Sequence, residues 1–112
     1  MLETLFSQFD NLLVLDTETT GINCRTDEII ELAAASVTPA GVESEMDVFI
    51  RLSEGRTLPP MITQLTGITP QQLEQEGVEK WEAAAQFAAA ISHPNTLLVA
   101  YNAQFDLCFL YY

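Results

Sequence analysis

Two carboxylates, Asp16 and Glu18, stand directly after the apolar run Leu12-Leu13-Val14-Leu15. Ending a buried strand on acids is costly unless something positive receives them. Residues two apart on a strand point to the same side, so both acids aim together if extended backbone continues to Glu18. A third acid, Asp106, lies on the segment after a second apolar run, Thr96 to Ala100, one helical turn beyond Asn102. Asn102 and Asp106 then share a helix face, and in open α/β sheets the sites lie at the carboxyl ends of strands. Three carboxylates converging on one point need a counter-charge, which hard divalent cations such as Mg2+ or Mn2+ supply. Two such ions about 3.5 to 4 Å apart would hold both the attacking and the leaving oxygen of a phosphodiester.

Other readings compete for the same residues. The stretch DTETTG, residues 16 to 21, can equally be a hydrogen-bonded turn in which Asp16 and Thr17 cap backbone groups. Asp106 can be a helix acid that complements the dipole. Counted from Asp16, the acid Glu18 at position 3, Thr20 at 5, Gly21 at 6 and Asp27 at 12 imitate a calcium-binding loop. Glu18 and Asp27 are off that pattern, however, and a strand precedes the loop where a helix is required. His93, before Pro94, reads as a surface loop residue.

The elements that must position these groups follow from pattern. Residues 12 to 16 and 96 to 100 suit strands buried on both faces. The segment EIIELAAASVT, residues 28 to 38, is ambiguous: Glu, Leu and Ala favour helix, whereas the Ile pair and the Val-Thr ending favour strand. EMDVFIRL, residues 45 to 52, alternates, and the turn PAGVE before it favours a hairpin with the preceding segment, so both are expected to be strands. Pro59-Pro60 opens a short helix ending at Gly67, and Thr69, Pro70 and Gln72 open another through a capping box. Residues 78 to 92 read as an amphipathic helix whose core stripe is Val78, Trp81, Ala85, Ala88 and Ile91. A helix is expected from about Asn102. The order gives an α/β or α+β sandwich with a mixed sheet.

The chain has 112 residues, of which 48% are hydrophobic, enough for one modest core. Arg25, Arg51, Arg56 and Lys80 oppose sixteen acids, a formal charge of −12. Such a surface repels phosphate backbones, so nucleic acid must be met locally and with the help of cations. Cys24 and Cys108 are too few and too far apart for a disulfide framework or a paired-ligand zinc site. Without a cationic leader or an apolar run near the roughly 20 residues that span a bilayer, we expect a soluble, cytoplasmic protein with no membrane partner. The closing residues NAQFDLCFLYY form an apolar, uncapped end that reads as cut from a longer domain.

LDTETTG (15 to 21), LTGIT (65 to 69) and AYNAQFDLCFL (100 to 110), in this order, resemble the DEDDh 3′–5′ exonucleases. This is the family of the proofreading epsilon subunit of bacterial DNA polymerase III and of the exonuclease domain of Gram-positive replicative polymerases. The resemblance implies a ribonuclease H-like fold over residues 11 to 112 after a short extension, 1 to 10, with residues 28 to 38 a strand. It implies that Asp16, Glu18 and Asp106 bind two metals. It also implies that Thr17, Thr19, Thr20 and Gly21 line the terminal nucleotide, Leu65 packs on its base, and Asn102 and Phe105 support the scissile side. The resemblance further implies that nucleoside monophosphates leave a single-stranded or frayed 3′ end, DNA rather than RNA, in proofreading or repair beside a polymerase or helicase partner. Two departures stand out: Tyr101 replaces the usual histidine of the second motif, and the third motif, a histidine general base followed by an aspartate ligand, is absent from these 112 residues. The stretch as given is therefore expected to be the N-terminal portion of the domain, incomplete at its C-terminus and impaired. The alternative is a non-catalytic exonuclease-like module that docks on a polymerase or helicase.

Overall fold

The computed structural model describes residues 2–91, 93 and 95–100. The elements are α1 (Leu2–Gln8), β1 (Asn11–Thr19), β2 (Ile29–Thr38), β3 (Gly41–Phe49), α2 (Pro60–Thr66), α3 (Pro70–Glu76), α4 (Lys80–Ala90) and β4 (Thr96–Ala100). Of the segment 28 to 38, Ile29–Thr38 is strand: Ile30, Leu32, Ala34 and Ser36 are buried while their neighbours are not, a period of two that no helix gives. Thr38 pairs with Gly41 across Pro39-Ala40, and Gly41 takes φ 118°, which closes the hairpin into β3.

The sheet runs β3-β2-β1-β4, with β1 antiparallel to β2 and parallel to β4. It is therefore mixed, as expected. Asn11 ties three strands together at the start of β1. Its amide donates to Ser36 Oγ at 2.7 Å and its carbonyl accepts from Thr96 Oγ1 at 2.7 Å, and it is fully buried.

Helices cover one face of the sheet. Leu58, Ile62, Ile68 and Leu73 from α2, α3 and their flanks enclose Ile30, while Phe87 and Ala90 of α4 pack on Leu13, Leu15 and Ala34. On the other face and toward the β4 edge, Val14, Leu98 and Val99 remain 37–43% exposed, so β1 and β4 are not buried on both faces among the described residues. Gly67 at φ 81° caps α2, and both halves of the capping box at Thr69 and Gln72 form.

The core stripe of α4 differs from expectation. Trp81 is 72% exposed and Ala85 and Ala88 also face solvent, whereas Ala83, Phe87 and Ala90 turn inward. The reason is steric: Ala83 lies against Leu32 and Ile50, where a small residue lets helix and sheet approach closely, and Phe87 fills the adjoining gap. The helix expected from Asn102 lies outside the described residues.

Candidate functional site

Alternation along β1 sends Leu13, Leu15 and Thr17 toward the helices and Val14, Asp16 and Glu18 to the opposite face. The two acids thus share one side at the carboxyl end of β1. Among the described residues, pairing with β4 runs from Asn11 with Thr96 to Leu15 with Ala100. A bulge between Glu18 and Thr19 follows them, and bulges twist and re-aim a strand end.

Two further carboxylates join this face. Asp16 pairs with Ala33 and Glu18 with Glu31 on β2; Ala33 in turn pairs with Asp47 on β3. Glu31 is pushed up to about 7 by burial first, then by a hydrogen bond with Asp47 and by the charges of Asp47, Glu18 and Asp16. A shallow trough of about 540 Å3 crosses the small side chains of Ala33 and Ala35, rimmed by Asp16, Glu45 and Asp47. Neither Glu31 nor Asp47 was singled out from sequence. The signal was there: once residues 28 to 38 are strand, Glu31 has the same parity as Ala33 and must face the acids.

The turn after β1 is hydrogen-bonded through Thr19, Thr20 and Asp27. Thr19 Oγ1 donates to the Gly21 carbonyl (2.5 Å), Thr20 Oγ1 donates to Asp27 Oδ1 (2.9 Å), and Asn23 N–H donates to Asp27 Oδ2 (3.0 Å). Thr20 and Glu28 also exchange bonds, through Thr20 N to the Glu28 carbonyl and Glu28 N to Thr20 Oγ1. A Cβ on Gly21 would lie 2.7 Å from Asp27 Cγ, so a side chain there would displace the Asp27 carboxylate from its bonds. With both Asp27 oxygens engaged and residues 16 to 19 in strand, the calcium-loop reading fails. Thr17 is 7% exposed on the core face, which withdraws its side chain from the acids.

Glu28 anchors the far end of the loop. It accepts from Lys80 Nζ at 2.7 Å, Arg56 Nε at 3.1 Å and both N–H and O–H of Ser53 at 3.0 Å. Burial alone would raise its pKa, but the Lys80 and Ser53 contacts outweigh it and hold the carboxyl below the ordinary value. Cys24 in the same loop is disulfide-bonded, contrary to the expectation from two distant cysteines. Leu65 is 75% exposed on α2, beside Met61 one turn earlier. His93 pairs with Glu43 at 2.8 Å, at the surface as expected. Asp106, Asn102, Phe105 and Tyr101 lie outside the described residues.

The acids suit a hard cation as donors, because crowded carboxylates on one face are stabilised by a counter-charge. Among the described residues no three His, Cys, Asp or Glu gather closely enough to hold a metal by themselves. No described helix is long and apolar enough to cross a membrane.

A mixed sheet with paired acids at the end of its central parallel strand is the architecture of ribonuclease H-like nucleases. The exonuclease family of RNase T type matches residues 13–112, and the chain belongs to that family. It is 36% identical over 107 residues to a PolC-type DNA polymerase III of Thermotoga petrophila, covering 93% of this chain and 7% of the relative. To the PolC-type polymerase of Bacillus subtilis it is 36% identical over 101 residues, covering 90% and 7%. The chain thus spans a small part of the relatives it matches. Among solved structures it is similar to exonuclease I in complex with an inhibitor, at TM-score 0.81 and 25% identity over 91% of this chain and 23% of that one. E. coli exonuclease I in complex with a dT13 oligonucleotide shares the fold, at TM-score 0.80 and 24% identity over 89% and 22%.

Proposed function

We propose that this chain forms the N-terminal portion, residues 11 to 112, of a 3′–5′ exonuclease domain that releases nucleoside monophosphates from a DNA end during proofreading or repair. The observation that carries this reading is the placement of Asp16 and Glu18 on one face at the carboxyl end of β1, in a chain of the exonuclease family. With Asp106 they would hold two Mg2+ or Mn2+ ions, which when bound activate water and steady the leaving oxygen. Asp16 and Glu18 would help to hold those ions, whose charge would let an acidic chain meet a polyanion locally and not over its whole surface. Thr19, Thr20 and Gly21 line the terminal nucleotide by backbone and turn shape, since both hydroxyls are already engaged within the turn. Leu65, exposed on α2, packs on the base, and Asn102 and Phe105 steady the scissile side. The polymerase relatives support a replicative polymerase as partner.

These residues alone contain no histidine beyond His93 to act as general base, a group that typically contributes about 10²- to 10⁴-fold. The 112-residue chain is accordingly proposed to turn over slowly, since these residues supply neither that base nor the third motif's aspartate ligand. Calorimetric titration with Mn2+, run beside mononucleotide release from a 5′-labelled oligodeoxynucleotide, tests both parts. Asp16→Ala and Glu18→Ala should each weaken Mn2+ binding by about tenfold or more. Mn2+ binding unchanged in the double variant sinks the metal assignment, and fast release unaffected by Asp16→Ala sinks the mechanism.

A further inference from the structure

Strand β3 is an edge of the sheet, with β2 on one side and, among the described residues, no strand on the other. Its backbone groups alternate in direction. Ile50 N–H donates to the Ile30 carbonyl at 2.8 Å, in register with the strand before it, so Ser44, Met46 and Val48 turn their N–H and C=O toward β2. Glu45, Asp47 and Phe49 turn theirs outward. This outer edge already takes extended backbone at its far end. The Phe49 carbonyl accepts from Val78 N–H at 2.8 Å, Arg51 N–H donates to the Val78 carbonyl at 3.0 Å, and Ile50 and Val78 form a parallel bridge. Glu45 and Asp47, both exposed, continue the same line of donors and acceptors. A bulge opposite Ser36 and Val37 bounds the regular stretch to residues 44 to 49.

The two faces of this edge differ. Glu45 and Asp47 pair with Ala35 and Ala33 and stand on the face of Asp16, whereas Met46 and Val48 are half-buried against the core on the helix side. Edge strands are commonly guarded by brevity, proline or lysine; β3, nine residues reading GVESEMDVF, has none of these. Its acids do repel a second copy, because pairing two β3 strands would set Glu45 and Asp47 against their own kind in a chain of net charge −12. The same acids attract a cationic strand. We infer that the outer edge of β3 receives an extended basic segment of a partner protein. Lys or Arg at alternate positions of that segment face Glu45 and Asp47, and apolar side chains between them lie beside Met46 and Val48. Main-chain bonds to Glu45 and Asp47 supply the pairing, and the alternation of side chains supplies its specificity. The inference does not depend on the exonuclease reading.

The test titrates the 112-residue chain in EDTA with an end-blocked hexapeptide of alternating Lys and Val, amide exchange being read by NMR. The peptide is expected to bind one to one. At about ten times its dissociation constant it should slow exchange at Glu45 and Asp47 about tenfold and leave Met46 and Val48 unchanged. The same peptide N-methylated along its pairing edge keeps its charge but loses main-chain donors, and should bind about tenfold more weakly. Variants are placed at Glu45, because Asp47 also bonds Glu31. Glu45→Pro removes an outward donor that β2 does not use, so the sheet should stand while binding falls about tenfold. Glu45→Lys, which leaves the backbone intact, should weaken binding about fivefold. Equal binding by the N-methylated peptide, or binding without slowed exchange at Glu45 and Asp47, would mean diffuse attraction to an acidic chain and overturn the inference. So would equal binding of a hexapeptide of alternating Glu and Val, or no binding of the Lys peptide. Sedimentation of the chain alone is expected to show a monomer; a dimer abolished by Glu45→Pro would give the edge to a second copy and likewise overturn it.

Discussion

Glu31 gives the site a measurable pH signature. Its carboxyl titrates near 7 in the folded chain because of burial and three neighbouring acids, against about 4.3 when unfolded. Below the unfolded value both states are protonated and nothing is lost; as pH rises through the folded value, the folded state must ionise a crowded acid and stability falls. In EDTA, Glu31→Gln should flatten this decline and gain about 1 kcal/mol above pH 7, the full shift being reduced by solvent screening. Urea unfolding at pH 5 and pH 8 measures it, and parallel losses in both proteins would remove Glu31 as the cause. Glu28 works in the opposite sense, since its lowered value supports the fold above the ordinary Glu range and is lost on acidification. Gly21→Ala drives a methyl into the Asp27 carboxylate and should cost about 1–3 kcal/mol with loss of the turn bonds, read from the same unfolding curves; a change below about 0.5 kcal/mol contradicts the packing.

At the scale of elements, sequence order and motif spacing were sufficient for the hairpin, both short helices and the capping box, because turn and cap residues act locally. Thr69→Ala should accordingly destabilise by about 1 kcal/mol, checked by its thermal midpoint. The phase of α4 was not legible. Its composition is mostly alanine, whose burial depends on what the sheet presents, and only the positions of Leu32 and Ile50 choose Ala83 over Ala85. Trp81 reports on that choice, being the one tryptophan. Acrylamide should quench its fluorescence nearly as well in the folded chain as in urea, and a shielded indole would mean that α4 is rotated. Residues 28 to 38 were legible as strand through the turn that follows them and not through propensity, since helix propensity there is overridden by pairing on both edges with β1 and β3. That override conceals Glu31 and Asp47 from any reading that stops at motifs.

Taken as a whole molecule, the chain carries sixteen acids against four cations, so self-repulsion outweighs its few ion pairs. Added NaCl should raise the thermal midpoint by screening like charges, despite weakening Glu28 with Lys80; a falling midpoint would mean that the ion pairs dominate. The parallel pairing of β1 with β4 has a consequence in time. Strands β1 to β3 are contiguous in sequence and can zip together as a meander, whereas β4 must close a loop of roughly 80 residues before Thr96 reaches Asn11. The last strand to dock is then the one that flanks the acids. The order of assembly follows: a three-stranded nucleus early, and the active edge completed only when the distant segment arrives, so that truncating the Leu98 or Val99 side chain should hasten unfolding while leaving the folding rate nearly untouched.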